Sequence, residues 1–308
     1  MKSSVLIILL FFNALAALAQ NDSLSRVSDS TSNADSILHR KDSITQSNLA
    51  LVASLPRDNN SQQEVYRIKK SVDIPLTIAG DGWSLYAFTV IYNKDTSSVK
   101  QILSLNKNDI SPINRWAVDE YSEKAFEASN VFFYAAMPLP LVLLFDKPIR
   151  KDAFKIGLLY LEAMGITGIL YTGSAYIHDK YRPYAYNPEA PMIRRQRGGA
   201  KNSFFAGHVA LVGTSTFFVS KVYADYHPDS KIKWLFYSMA GVATLTTGYL
   251  RHLAGEHFPT DIAIGVGVGT LTGLFVPHFH KNPLIKNPNL SIRPIIGDAY
   301  GFSISYRF

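Results

Sequence analysis

Residues 251–261 read RHLAGEHFPTD. Within this stretch His257 and Asp261 stand four apart, the spacing that brings two side chains together on one face of a helix. Pro259 suits the first turn of such a helix, and a carboxylate there is stabilised by the helix dipole. An apolar segment, residues 234–250, leads directly into Arg251, and another, residues 262–280, follows Asp261. The charged stretch is therefore the junction between two helices. Two further polar islands have the same setting: KYRP at 180–183 follows an apolar segment at 155–177, and FFAGH at 204–208 opens one at 202–220. Two arginines, two histidines and an aspartate thus gather at helix ends. The intervening apolar lengths predict an all-α fold, a six-helix bundle.

This set of side chains is the one a metal-free phosphoryl-transfer site needs. It offers fixed positive charge for phosphate oxygens, a nucleophile, an orienting carboxylate and a proton donor. The islands resemble the signature of the type 2 phosphatidic acid phosphatase superfamily, which includes bacterial acid phosphatases and vanadium haloperoxidases. That signature is Lys-x6-Arg-Pro, then Pro-Ser-Gly-His, then Ser-Arg-x5-His-x3-Asp. Arg182-Pro183, Gly207-His208 and Arg251-x5-His257-x3-Asp261 match it in order and in spacing. The resemblance covers roughly Val72 to His280. Departures fall at Ala175 (lysine in the signature), at Phe205 and Ala206 (proline and serine) and at Leu250 (serine).

The resemblance implies a bundle of the acid phosphatase/haloperoxidase type and a role for each matched residue. His257 attacks phosphorus and carries a phosphohistidine. Asp261 accepts one imidazole N–H and leaves the other nitrogen free, as in catalytic triads. His208 is the general acid for the leaving oxygen. Arg182 and Arg251 grip the phosphate, since a guanidinium presents a planar fork of donors. Gly207 lets a backbone N–H at a helix start approach a phosphate oxygen. Lys180, two residues before Arg182, is expected to supply some of the charge missing at Ala175. No metal or cofactor is implied. The expected activity is hydrolysis of a phosphate monoester or diphosphate, and apolar helices beside the site favour a lipid such as phosphatidate, an isoprenyl diphosphate or a lipid A phosphate. Two alternatives stand beside it. One is a vanadium-dependent haloperoxidase, with vanadate held by the same residues. The other is a catalytically degenerate binding module of the envelope.

Composition agrees with an anionic partner at a membrane. The chain of 308 residues carries a formal charge of +7, is 47% hydrophobic and has no cysteine, so disulfides and thiolate metal sites are excluded. No nucleic-acid motif is present. Residues 1–19 read as a signal peptide, with Lys2, an apolar core from Val5 to Leu18 and the small-x-small pattern Ala17-Leu18-Ala19. That predicts an exported, membrane-associated protein whose site faces the periplasm. Residues 20–63, rich in Ser, Asp and Asn, are expected to be a disordered linker. The helical domain is expected at 64–280, and its glycines at 265, 267, 269 and 273 permit close helix packing. In the tail, 281–308, Phe302, Ile304, Tyr306 and Phe308 alternate with small or polar residues after a turn at Gly297-Asp298, which predicts a short β-hairpin. Arg194, Arg195, Arg197 and Lys201 form a basic loop able to draw in anionic head groups, and Tyr184 and Tyr186 flank Arg182-Pro183.

Overall fold

The computed structural model describes residues 64–282, 290–295 and 301–306. The expected signal peptide and linker lie outside the described residues. The main body is a bundle of six long helices: α1 (Lys70–Tyr92), α2 (Glu123–Ala136), α3 (Ala153–Ile177), α4 (Gly207–Tyr226), α5 (Lys233–Leu253) and α6 (Pro259–His280). Short helices at Val99–Leu103, Pro112–Arg115, Lys147–Lys151, Pro183–Tyr186 and Met192–Gln196 fill the connections.

α4 is the axis of the bundle and packs against α6, α5, α3 and α2. Its sequence explains the position. Val209, Ala210, Val212, Phe218 and Val222 are buried, and so are Gly213, Thr214 and Ser215. The threonine hydroxyls inside return their bonds to the helix itself, Thr214 Oγ1 to Ala210 O at 2.9 Å and Thr216 Oγ1 to Val212 O at 2.8 Å. No buried hydroxyl there is left unsatisfied. α6 lies against α4 along a ridge of glycines four residues apart. A Cβ at Gly265, Gly269 or Gly273 would come within 2.7, 2.3 and 2.6 Å of the carbonyl oxygens of Ala206, Ala210 and Thr214. Gly267 faces open space and takes no part in this contact.

Proline shapes one segment and packing another. The apolar run 128–145 is not one helix: α2 stops at Ala136, and Leu139–Phe145 continues as a 3-10 helix, because Pro138 and Pro140 cannot supply the α-helical N–H. Conversely, α1 runs unbroken through Gly80-Asp81-Gly82. Packing on α3 overrides the weak local propensity, with Asp81 and Ser84 filling the space over Gly165 and Gly168.

Leu290–Ile295 and Gly301–Tyr306 pair antiparallel, with Ile292 opposite Ile304. The turn expected at Gly297-Asp298 lies outside the described residues.

Glu123–Phe145, Ala153–Ile177 and Pro259–His280 are long and apolar enough to cross a membrane. The outer faces match: α5 exposes Trp234, Leu235, Met239, Val242, Leu245 and Tyr249, and α6 exposes Ile264, Leu271, Phe275 and Phe279. Apolar outer faces of this extent are the mark of a membrane-associated protein.

Candidate active site

The three islands meet at one end of the bundle and are tied together through their main chains. Ser203 N–H donates to Lys180 O (3.0 Å), Ala206 N–H to Asp261 O (3.1 Å), Tyr184 N–H to Gly255 O (2.8 Å) and Arg182 N–H to Ala200 O (2.8 Å). Between α5 and α6 the chain turns at Gly255, whose φ of +66° belongs to the left-handed region. A Cβ there would also stand 2.4 Å from Glu120 O, so both conformation and space demand glycine. The turn places Arg251 in the last turn of α5 and His257 just before Pro259, the first residue of α6.

His257 is buried, and its Nδ1 lies 2.7 Å from the carbonyl oxygen of Ser203. A carbonyl only accepts, so Nδ1 carries the proton and Nε2 holds the lone pair. Nε2 has no hydrogen-bond partner among the described residues. Burial, together with the charges of Arg182 and Arg251, holds this imidazole well below the usual histidine range, so it is neutral at physiological pH.

Asp261 does not take the place expected for it. It is fully buried, and it accepts from Ser203 Oγ at 2.7 Å, from Lys180 Nζ at 2.6 Å and from Phe258 N–H at 3.4 Å. Its link to His257 runs through Ser203, whose hydroxyl serves the carboxylate while its carbonyl serves the imidazole. The reason is local. Capping the start of α6 turns the Asp261 carboxylate back onto the Phe258 N–H and the 203 strand of chain.

Lys180 also departs from expectation. Its ammonium sits on Asp261 and over the Phe258 ring, 4.7 Å from the centroid, rather than among the arginines. At Ala175, which is buried, the nearby cation is Lys94, whose Nζ bonds the Ala175 carbonyl and Asp179.

Arg182 and Arg251 are both buried, 5% and 1% exposed. Such burial of two like charges needs a counter-ion, and Glu256 provides it. Its carboxylate pairs with an Nη of Arg182, lies 3.8 Å from Nη1 of Arg251, and accepts from Arg194 Nη2 at 2.8 Å. Asn130 Oδ1 takes a further bond from Arg251. The Nε of each of Arg182 and Arg251 has no hydrogen-bond partner among the described residues.

His208, the second residue of α4, lies in the electrostatic field of His257, Arg182 and Arg251, with its ring 4.5 Å from that of Phe133. The two histidines and both arginines predicted from the sequence therefore share one place. Gly207 precedes it, and a Cβ there would press to 2.8 Å against the Tyr171 ring. In the basic loop, Arg194 stacks over Tyr184 (5.0 Å) and Phe126 (4.7 Å), whereas Arg195 is a structural residue, with Nε bonded to Ala185 O at 2.9 Å. His280 lies 3.5 Å from Glu162 and 3.7 Å from Asp73. Among the described residues no group of three or more His, Cys, Asp or Glu is placed to hold a metal ion.

Sequence reasoning missed Ser203, Glu256 and Asn130. Ser203 acts partly through its main-chain carbonyl, which no side-chain pattern reveals. Glu256 did leave a signal: an acidic residue beside His257 inside a stretch that the fold buries.

The helical bundle thus carries arginines, histidines and an aspartate on its cap. Residues 156–284 match the family model described as PAP2 superfamily. Among solved structures the chain is similar to a transmembrane PAP2 type phosphatidylglycerolphosphate phosphatase from Bacillus subtilis, at 22% identity and a TM-score of 0.43, covering 68% of this chain and 98% of that one. It is also similar to LpxE of Aquifex aeolicus, at 19% identity and a TM-score of 0.39, covering 55% of this chain and 96% of that one. No curated protein matches the chain significantly.

Proposed function

We propose that the protein is a phosphatase of membrane lipids that cleaves a phosphate monoester or diphosphate through a phosphohistidine, without a metal. The observation that carries this reading is that three of the buried nitrogen atoms without a hydrogen-bond partner among the described residues belong to the matched islands: Nε of Arg182, Nε of Arg251 and Nε2 of His257. Leaving a buried donor unpaired costs about 1–3 kcal/mol. Two unpaired guanidinium edges beside an unpaired imidazole lone pair make a site ready for an anionic, electrophilic group.

In this reading the phosphate oxygens take the Nε–H donors of both arginines, and Nε2 of His257 faces phosphorus. The Nε2–P bond forms as the P–O bond to the leaving group breaks, and His208 gives its proton to the departing oxygen. The phosphate's negative charge offsets the arginines that face His208, so its imidazole can hold that proton. Water then attacks phosphorus, His208 takes the water's proton, the N–P bond breaks and inorganic phosphate leaves. The carbonyl of Ser203 keeps the His257 proton on Nδ1 throughout. The apolar outer faces of α5 and α6 support a substrate delivered from the bilayer. We place the site on the periplasmic side, which protease cleavage of the 182–202 loop in intact spheroplasts would check.

The test is phosphate release from phosphatidate in detergent with a chelator present, on the full chain and on His257→Gln. The expected result is chelator-resistant release, abolished in the variant, with an acid-labile phosphoprotein in the native chain only. Release that persists in folded His257→Gln would refute the mechanism.

A further inference from the structure

Three guanidinium groups converge on the single buried carboxylate of Glu256: Arg182 from the first island, Arg251 from the end of α5, and Arg194 from the short helix Met192–Gln196. Glu256 is only 3% exposed. It engages Nη atoms and leaves the Nε edges of Arg182 and Arg251 unpaired and buried. The carboxylate thus stands behind the arginines and fixes their forks while their inner edges stay available.

Arg194 is held twice over. One Nη reaches Glu256 and the other reaches Glu123, and its plane lies over Phe126 and Tyr184. The Phe126 ring is shared, since Arg251 lies over it as well, at 5.1 Å. An arginine in a solvated loop would not be clasped by two carboxylates and three rings, Tyr121 being the third. Lys180 is engaged by Asp261 and Lys94 by Asp179, and position 175 carries no charge.

We propose that Arg194 is the third cation of the phosphate clamp, and that Glu256 is the positioning residue that holds it beside Arg182 and Arg251. This rests on the phosphatase reading and deepens it. Arg194 binds charge at the mouth of the site and Glu256 acts only through the arginines. The ligand chemistry is an anionic phosphate group: the three arginines outnumber the two carboxylates paired with them, Glu256 and Glu123, and the cluster keeps a net positive charge.

The experiment measures binding of inorganic phosphate to the full chain in detergent by calorimetry, for the native protein, Arg194→Gln, Glu256→Gln and the double variant. A charge-assisted hydrogen bond lost from the clamp weakens binding on the order of tenfold. Arg194→Gln is expected to weaken phosphate binding by about that factor and to raise KM with little change in kcat. Arg194→Lys, which keeps the charge but not the fork, is expected to fall between. Glu256→Gln is expected to weaken binding although it removes a negative charge, and the double variant is expected to be no worse than the worse single one. Unchanged binding in Arg194→Gln, or tighter binding in Glu256→Gln, would overturn the proposal: tighter binding means that Glu256 competes with phosphate. Arg194 is on the outer side of the cluster, so its variants report even if Glu256→Gln fails to fold. A native protein that binds no phosphate would remove the phosphatase reading itself, whereas binding that both variants retain would remove only this inference.

Discussion

Replacing Asp261 by asparagine tests the arrangement in which Ser203 stands between carboxylate and imidazole. Where a carboxylate bonds the catalytic histidine directly, its amide replacement costs about 10⁴-fold in rate, because the imidazole adopts the wrong tautomer. Here the Ser203 carbonyl, at 2.7 Å, fixes the tautomer, and the substitution leaves that carbonyl in the main chain. What Asp261→Asn removes is the charge that receives Ser203 Oγ and Lys180 Nζ. One charge-assisted bond is worth about 1.5–3 kcal/mol, so the drift of the 203 segment should cost about 10- to 100-fold in kcat, not 10⁴. Lys180 is one-third exposed and regains water when its partner is neutralised. The loss of stability should therefore be about 1–3 kcal/mol, below the 3–5 expected when a fully buried pair is broken. The assay is phosphate release under saturating substrate, paired with a denaturation midpoint on the same preparation. A loss of 10⁴-fold or more in a folded variant would refute the relay through Ser203, and so would a loss below threefold.

Two further outcomes follow from burial and packing. His257 stays neutral in the folded protein below the pH at which an unfolded histidine takes its proton, so the unfolded state binds more protons there and stability rises with pH. Its contribution is present above about pH 6.5 and is lost as pH falls; between pH 7.5 and 5.5 that amounts to about 1.4 kcal/mol, measured as the difference in denaturation free energy between the native chain and His257→Gln. A pH dependence identical in both would contradict the burial of this ring. Gly269→Ala puts a methyl group 2.3 Å from the Ala210 carbonyl and must push α6 off α4, at a cost of about 1–3 kcal/mol; Gly267→Ala, which faces open space, should leave the denaturation midpoint where it is.

The bundle was legible in the sequence because each long helix carries its own apolar length and ends on a recognisable island. His208, His257, Arg182 and Arg251 were legible for the same reason: fixed spacing within an island survives folding as fixed geometry. What was hidden depends on partners far apart in the chain. Asn130 reaches Arg251 across 121 residues, and Arg194 reaches Glu256 across 62. Asp261 was assigned the right neighbourhood and the wrong neighbour, because i,i+4 spacing fixes a helix face but not which way a capping carboxylate turns. Lys180 was misjudged likewise: its proximity in sequence to Arg182 placed it near the arginines, whereas an extended segment, bridged to Asn202, points it to Asp261.

The main-chain ties among residues 180, 203, 206 and 261 have a consequence for how this chain tolerates change. Since amide and carbonyl groups do the joining, the path of the main chain beneath the reactive atoms does not depend on a hydroxyl at position 206 or 250. Phe205 and Ala206 are buried beneath it, so packing fixes their size while the ties leave their polarity free. The three islands are thereby joined into one plate across the end of the bundle.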